Sequence, residues 1–264
     1  MNDVRKPAVA GQFYASNASE LATTVSTLLN EVEGQGGAPA AAPKALIAPH
    51  AGYIYSGPVA AIAYACLRPW RDQYSRVVLL GPCHRVPVRG MALSDADSFQ
   101  TPVGEVPIDK QAVADLAGPG VEIADLPHQY EHSLEVHLPF LQAVLGSFSL
   151  IPVVVGDATP QQVAELLDKV WGGDETLVVI SSDLSHYQRY ADAKVMDAET
   201  CAAIENFDYA SIDHDHACGA TPVGGLLIAA KRHGLDVMTL DLRNSADTAG
   251  DGNVVVGYGA WVLS

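Results

Sequence analysis

Imidazoles stand at the ends of apolar runs. "KALIAP" leads into His50, "RVVLLGPC" into His84, and "TLVVISS" into Asp183 and His186. With only nine histidines in 264 residues, three falling just past strand-like runs is a pattern rather than scatter. In parallel sheets, ligands bind beyond the carboxyl ends of the strands, so these segments would deliver their side chains to one edge. A fourth run, "SLIPVVVG", delivers Asp157 instead. Converging neutral imidazoles suit zinc, iron or copper, and two or three protein ligands leave positions open for substrate and water. The third ligand has several candidates: Cys218, His132, His137 or a carboxylate.

Cys218 lies in the Gly-punctuated stretch "DHDHACGATPVGG", just before a helix expected to start near Pro222. Helix dipole and backbone N–H groups favour a thiolate there. Cys83 competes, but adjacent residues of an extended chain point to opposite faces, so it would not share an ion with His84. Cys66 and Cys201 sit in helical apolar patterns and read as core. "EHSLEVH" has one residue too many for an inverted zinc-protease motif. On a helix His132 shares a face with Glu135, so His132 is expected in the pocket with Glu135 helping to hold it. In "SSDLSHY", Asp183 is placed to orient His186 or bind a polar substrate group. His186 is the expected general base, since its unperturbed pKa is near neutrality. No G-x-S-x-G elbow surrounds the serines, and neither G-x-G-x-x-G nor a Walker loop is present, so no nucleotide cofactor is expected.

The elements that must position these groups alternate. Strands are expected over 44–49, 76–81, 149–156, 176–181, 236–242 and 254–263, and helices over 19–29, 58–67, 110–117, 133–145, 160–171, 192–206 and 222–233. Continuous apolar strands between helices predict one α/β sandwich domain, 1–264, with a largely parallel sheet covered on both faces. "FQTPVGEVPID" (Phe99 to Asp109) breaks the alternation as a hairpin insertion, and Glu31 to Pro43 reads as a surface loop after the first helix. The net charge of −16 argues against nucleic acid and anionic membrane surfaces as partners. No apolar run is long enough to span a bilayer, no secretory signal is evident, and the four spaced cysteines read as reduced thiols. A cytoplasmic protein acting on a small molecule is the expectation.

In order, "PAVAGQFYAS", "IAPHAGYIYSG", "LLGPCHRVP", "FQTPVGEVPID", "EHSLEVHLPF", "IPVVVG", "ISSDLSHY", "CGATPVGGLL" and "VVVGYGAW" resemble the Memo family, whose bacterial and archaeal members are called AmmeMemoRadiSam system protein B. The resemblance covers essentially the whole chain. It implies a fold similar to LigB-type class III extradiol dioxygenases, which use non-haem ferrous iron. By motif it implies His50, His84 and Cys218 as metal ligands, with His186 as the acid–base histidine and Asp183 and His132 lining the pocket. The ring-cleaving enzymes complete their triad with a carboxylate, whereas Memo proteins and this sequence place a cysteine there. A thiolate is softer, so copper and zinc compete with iron. The animal member is associated with phosphotyrosine-peptide binding and copper-dependent redox chemistry, and "GATPVGG" here replaces its more basic counterpart. Family neighbours imply pathway partners among radical S-adenosylmethionine proteins, and self-association is left open.

The expected function is a metal-dependent oxidoreductase of dioxygenase-like architecture with one mononuclear ion, iron or copper before zinc. Two rivals belong to other classes: a binding or adaptor module that retains the pocket, and a zinc hydrolase.

Overall fold

The computed structural model describes residues 3–35, 37 and 39–264. In chain order its strands are β1 (Val4–Arg5), β2 (Ala45–Ala48), β3 (Arg76–Pro82), β4 (Met91–Leu93), β5 (Ser98–Thr101), β6 (Gly104–Pro107), β7 (Val121–Ile123), β8 (Ser149–Val155), β9 (Thr176–Ser181), β10 (His186–Gln188), β11 (Val237–Asn244) and β12 (Val255–Leu263). Its α-helices are α1 (Ala18–Glu31), α2 (Tyr53–Ala65), α3 (Lys110–Leu116), α4 (Leu126–Gln129), α5 (Leu138–Leu145), α6 (Pro160–Val170), α7 (Tyr190–Glu205) and α8 (Ala220–His233).

The main sheet runs β10-β12-β2-β9-β3-β8-β4-β7, with β11 also paired to β12. Its centre, β2-β9-β3-β8, is parallel. The parallel arrangement stops at the flanks, where β12 lies antiparallel to β2 and β4 antiparallel to β8. Every residue of β2 and β9 is buried at both parities of the pleat. Successive side chains point to opposite faces, so burial at both parities requires cover on both. Helices α1, α2 and α5 pack together, and α6 packs on α8, which meets β3 and β9. The Phe99–Asp109 insertion is the β5–β6 hairpin, which joins β1 in a separate three-stranded sheet. Within the expected 31–43 surface loop, Gly36 and Ala38 lie outside the described residues. No described helix is long and apolar enough to cross a membrane.

Register places the site. Ala48 pairs with Ser181 and Leu80 with Ile180, so β2, β3 and β9 end side by side. Two close approaches then bring loops over that edge. At Gly81 a Cβ would sit 2.8 Å from Ser133 Oγ, which lets the 131–135 turn lie against β3. At Gly219 a Cβ would sit 2.6 Å from Ser181 O, so the start of α8, with Cys218 before it, reaches the end of β9. Any larger residue at either position would push a loop away from the site.

Candidate metal centre

His50 lies just past β2, 2% exposed, and two neighbours fix it. Asp183 Oδ1 accepts its backbone N–H at 2.7 Å, and its Nδ1 is 2.6 Å from Ser181 Oγ. Ser181 donates its one hydroxyl hydrogen to Ser133 O, so in this hydrogen-bond network the serine oxygen accepts and His50 Nδ1 donates. The lone pair of His50 is therefore on Nε2. His84 is arranged the same way by Glu131, which accepts its backbone N–H at 2.6 Å and faces its Nδ1 at 2.9 Å. Burial would raise the Glu131 pKa, but hydrogen bonds from His84 and Ser133 win and hold it down at about 2. An ionised Glu131 can only accept, so His84 Nδ1 carries the proton and Nε2 is free. Ring tautomers fixed by a second layer of partners are what metal-ligating histidines usually show.

His132 completes a cluster. One nitrogen from each of His50, His84 and His132 lies within 4.8 Å of the others. The His84 and His132 rings stack at 4.7 Å, and His132 also packs against Phe13 at 4.8 Å. Its Nδ1 is 3.3 Å from Glu131 Oε1 yet out of line for a hydrogen bond, and it is left buried and unpartnered. Burial, with the His84 ring and the Arg85 guanidinium adding to it, outweighs the Glu131 carboxylate and lowers the His132 pKa to about 4. Burial above all drives the His50 pKa well down, and the surrounding imidazoles add to that effect. The His50 and His132 rings are thus held neutral and fit to bind a cation.

Cys218, just before α8, meets one member of this cluster, His50, and is not part of the three-nitrogen group. Its Sγ is 3.5 Å from His50 Nε2 and accepts the Asp183 N–H at 3.3 Å. The thiol donates to the His50 Nε2 lone pair at this spacing, and sulfur at about 2.3 Å and nitrogen at about 2.0–2.1 Å from one tetrahedral ion would be about 3.5 Å apart, so a metal replacing the proton fits the same gap. Burial, with the Asp183 carboxylate beside it, pushes the Cys218 thiol up to about 12. The thiolate expected from the helix dipole is thus not favoured by the protein alone, because burial wins. A cation would have to displace the proton.

Two expected roles change partners. Glu135 does not hold His132. It is buried elsewhere, accepting from Arg5, Tyr14 Oη, Ala8 N and Val9 N. Residues 131–134 form a turn, only Glu135–His137 is a 3-10 turn, and α5 starts at Leu138 with Pro139 in its first turn, so helical spacing does not apply. Asp183 does not orient the His186 ring, because the Leu184 carbonyl faces His186 Nδ1 at 2.7 Å. Asp183 turns to His50 instead, with Oδ2 4.0 Å from His50 Nε2. Burial raises the Asp183 pKa to about 6 against the His50 N–H bond. His137 is buried away from the cluster with Tyr64 Oη at 2.8 Å from its Nδ1. Cys83 is turned to Val86 O, and Asp157 lies at the rim of a cavity beside His84. The groups that composition and spacing missed are Glu131 and Ser181, which hold the two histidines.

A Memo-like protein family profile matches residues 5–262. The chain belongs to the Memo family. MEMO1 family proteins of Metallosphaera sedula and Methanosarcina mazei are each 34% identical to it, covering 96% and 99% of this chain and 97% and 99% of their own. The Methanosarcina acetivorans member is 35% identical over 99% of both chains. A solved structure, of an uncharacterized Escherichia coli K12 protein, aligns with 81% of this chain and 98% of its own at 13% identity and TM-score 0.47, too distant a likeness to build on. The matched range takes in His50, His84, Cys218 and residues 131–135.

Proposed function

We propose that this protein is a metal-dependent oxidoreductase of non-haem dioxygenase-like architecture. His50, His84 and Cys218 hold one ion, and His132, Asp183 and His186 line the substrate side. The observation that supports this most directly is the 3.5 Å separation of Cys218 Sγ from His50 Nε2, beside a His84 whose Nδ1 is already committed to Glu131. A bound iron or copper ion would supply redox chemistry and open positions for oxygen and a small-molecule substrate; this mixed imidazole and thiolate set also suits zinc. The chain's own groups supply the rest. Glu131 and Ser181 fix the two imidazoles, Asp183 holds the His50 backbone, and His186, with Nδ1 committed to Leu184 O, has Nε2 to move a proton.

The test is anaerobic loading with iron(II), copper(I) or zinc(II), followed by oxygen uptake with a panel of catechols and thiols. Oxygen consumption with iron or copper, abolished in His50→Ala, is expected. Protein that binds each metal and consumes no oxygen with any substrate overturns the oxidoreductase reading, and turnover without oxygen in the zinc form makes it a hydrolase.

A further inference from the structure

Beside His84 lies an open surface cavity of about 390 Å³, lined by Cys83, His84, Arg85, Val86, Pro87 and Val88 and by Gly156 and Asp157 past β8. His84 belongs to both cavity and cluster, so whatever fills the cavity abuts the ion site. The cavity carries a solvent-exposed cation, Arg85. In a chain of net charge −16, most buried or half-buried cations are committed: Arg5 to Glu135, Arg76 to Asp109 and Arg243 to Asp241. Among the described residues nothing within ion-pair or hydrogen-bonding reach engages the Arg85 guanidinium. It lines the cavity next to His84, the member of the cluster that the cavity shares. The remaining wall, Val86, Pro87 and Val88, is apolar. Asp157 stands in the same cavity and does not pair with Arg85, so it offers a negative charge near the ligand.

We infer that Arg85 is the substrate anchor of this site, and that the substrate class is a small monocarboxylate with an apolar body. The guanidinium takes the carboxylate in a planar, charge-assisted contact. The Val86–Val88 wall takes the apolar part, and Asp157 repels a second negative charge. The inference deepens the metal-site reading and rests on it for its functional meaning, but ligand binding at Arg85 is measurable without the metal.

Benzoate, benzamide and phthalate are the probes, titrated calorimetrically into the cobalt(II)-loaded and the metal-free protein, with cobalt affinity measured separately. Benzoate is expected to bind at least tenfold more tightly than isosteric benzamide and than dianionic phthalate. Arg85→Gln should erase the preference for benzoate over benzamide, Arg85→Lys should restore part of it, and Asp157→Asn should narrow the gap to phthalate. Cobalt affinity should stay within about twofold in all three variants, since none of these residues is among the ligands. A preference that survives Arg85→Gln, or no benzoate binding to the wild type, overturns the inference. Failure of the wild type to bind cobalt sinks the metal reading instead. In that case the benzoate preference of the metal-free protein, and its loss in Arg85→Gln, still decides the role of Arg85.

Discussion

Glu131 grips His84 at two points, its backbone N–H at 2.6 Å and its ring Nδ1 at 2.9 Å. The same carboxylate accepts the N–H groups of His132 and Ser133 at 2.9 and 3.0 Å. One buried anion thus fixes the tautomer of one cluster histidine and the backbone of another. Glu131→Gln leaves an amide that must turn a donor toward a donor on at least one of these bonds. Cobalt(II) or zinc affinity should fall about 10- to 100-fold, the usual cost of losing such a supporting partner. Competitive titration against a chelator measures it, and unchanged affinity would show that His84 needs no fixing.

Cobalt(II) also distinguishes the two candidates for the third ligand. If Cys218 Sγ is bound, the cobalt protein shows a thiolate-to-metal absorption in the near ultraviolet. Cys218→Ser should remove that band, while His132→Gln should leave it and the visible ligand-field bands in place. A wild-type cobalt protein that lacks this band, with ligand-field bands altered by His132→Gln and not by Cys218→Ser, would assign the third position to His132, which has a ring nitrogen within 4.8 Å of those of His50 and His84.

The strands and their ends are legible in the sequence because burial at both parities writes itself as continuous apolar residues, as in "ALIA" and "TLVVIS". The same runs place His50 and His84 at one sheet edge. The short strands β1, β4, β7 and β10, of two or three residues each, carry too little pattern to be read. Glu131 escapes for a different reason. Helical spacing favours Glu135, yet Pro139 and the 3-10 turn before it leave residues 131–134 outside α5. A carboxylate immediately before a His-Ser pair, able to accept the next N–H groups, is the local signal that marks Glu131. Ser181 has no such signal, since only the β2–β9 register brings it to His50.

His186 is expected to act on protons rather than to bind the ion. Its Nδ1 is committed to the Leu184 carbonyl, and Tyr187 follows at φ 56° with an exposed ring. His186→Gln should lower turnover about 10²- to 10⁴-fold, the usual share of a positioned acid–base group, with metal affinity unchanged. Parallel loss of metal affinity would instead make His186 a ligand.

Two buried histidines outside the cluster make stability depend on acid. Burial lowers the His137 pKa to about 3, and burial, reinforced by Arg5, lowers that of His128 to about 4 against the hydrogen bond to Ala92 O. Their unfolded values are near 6.5. Above that pH neither state binds the protons. As pH falls below it the unfolded chain takes them up and the folded chain does not, so stability drops until the folded pKa values are reached. Each group contributes about 1.4 kcal/mol per pH unit in that window. Urea midpoints between pH 7 and 4.5 should fall steadily, and His137→Gln should make the fall shallower by about that amount per unit. An unchanged slope would show that His137 is protonated in the folded protein.

The buried pair Arg5–Glu135 ties the N-terminal segment to the turn that carries Glu131 and His132. Arg5 donates to Glu135, to Glu131 O and to His128 O, while Glu135 also receives Tyr14 Oη and the N–H groups of Ala8 and Val9. Removing the cation alone strands a carboxylate that is 0% exposed. Arg5→Met should therefore cost about 3–5 kcal/mol in urea unfolding, the range for breaking one side of a buried pair. Because the uncompensated charge is the main cost, adding Glu135→Gln to Arg5→Met should recover part of the loss even though it removes a second native group. If the double variant is the less stable of the two, the hydrogen bonds to Glu135, rather than its charge, hold this end of the fold together.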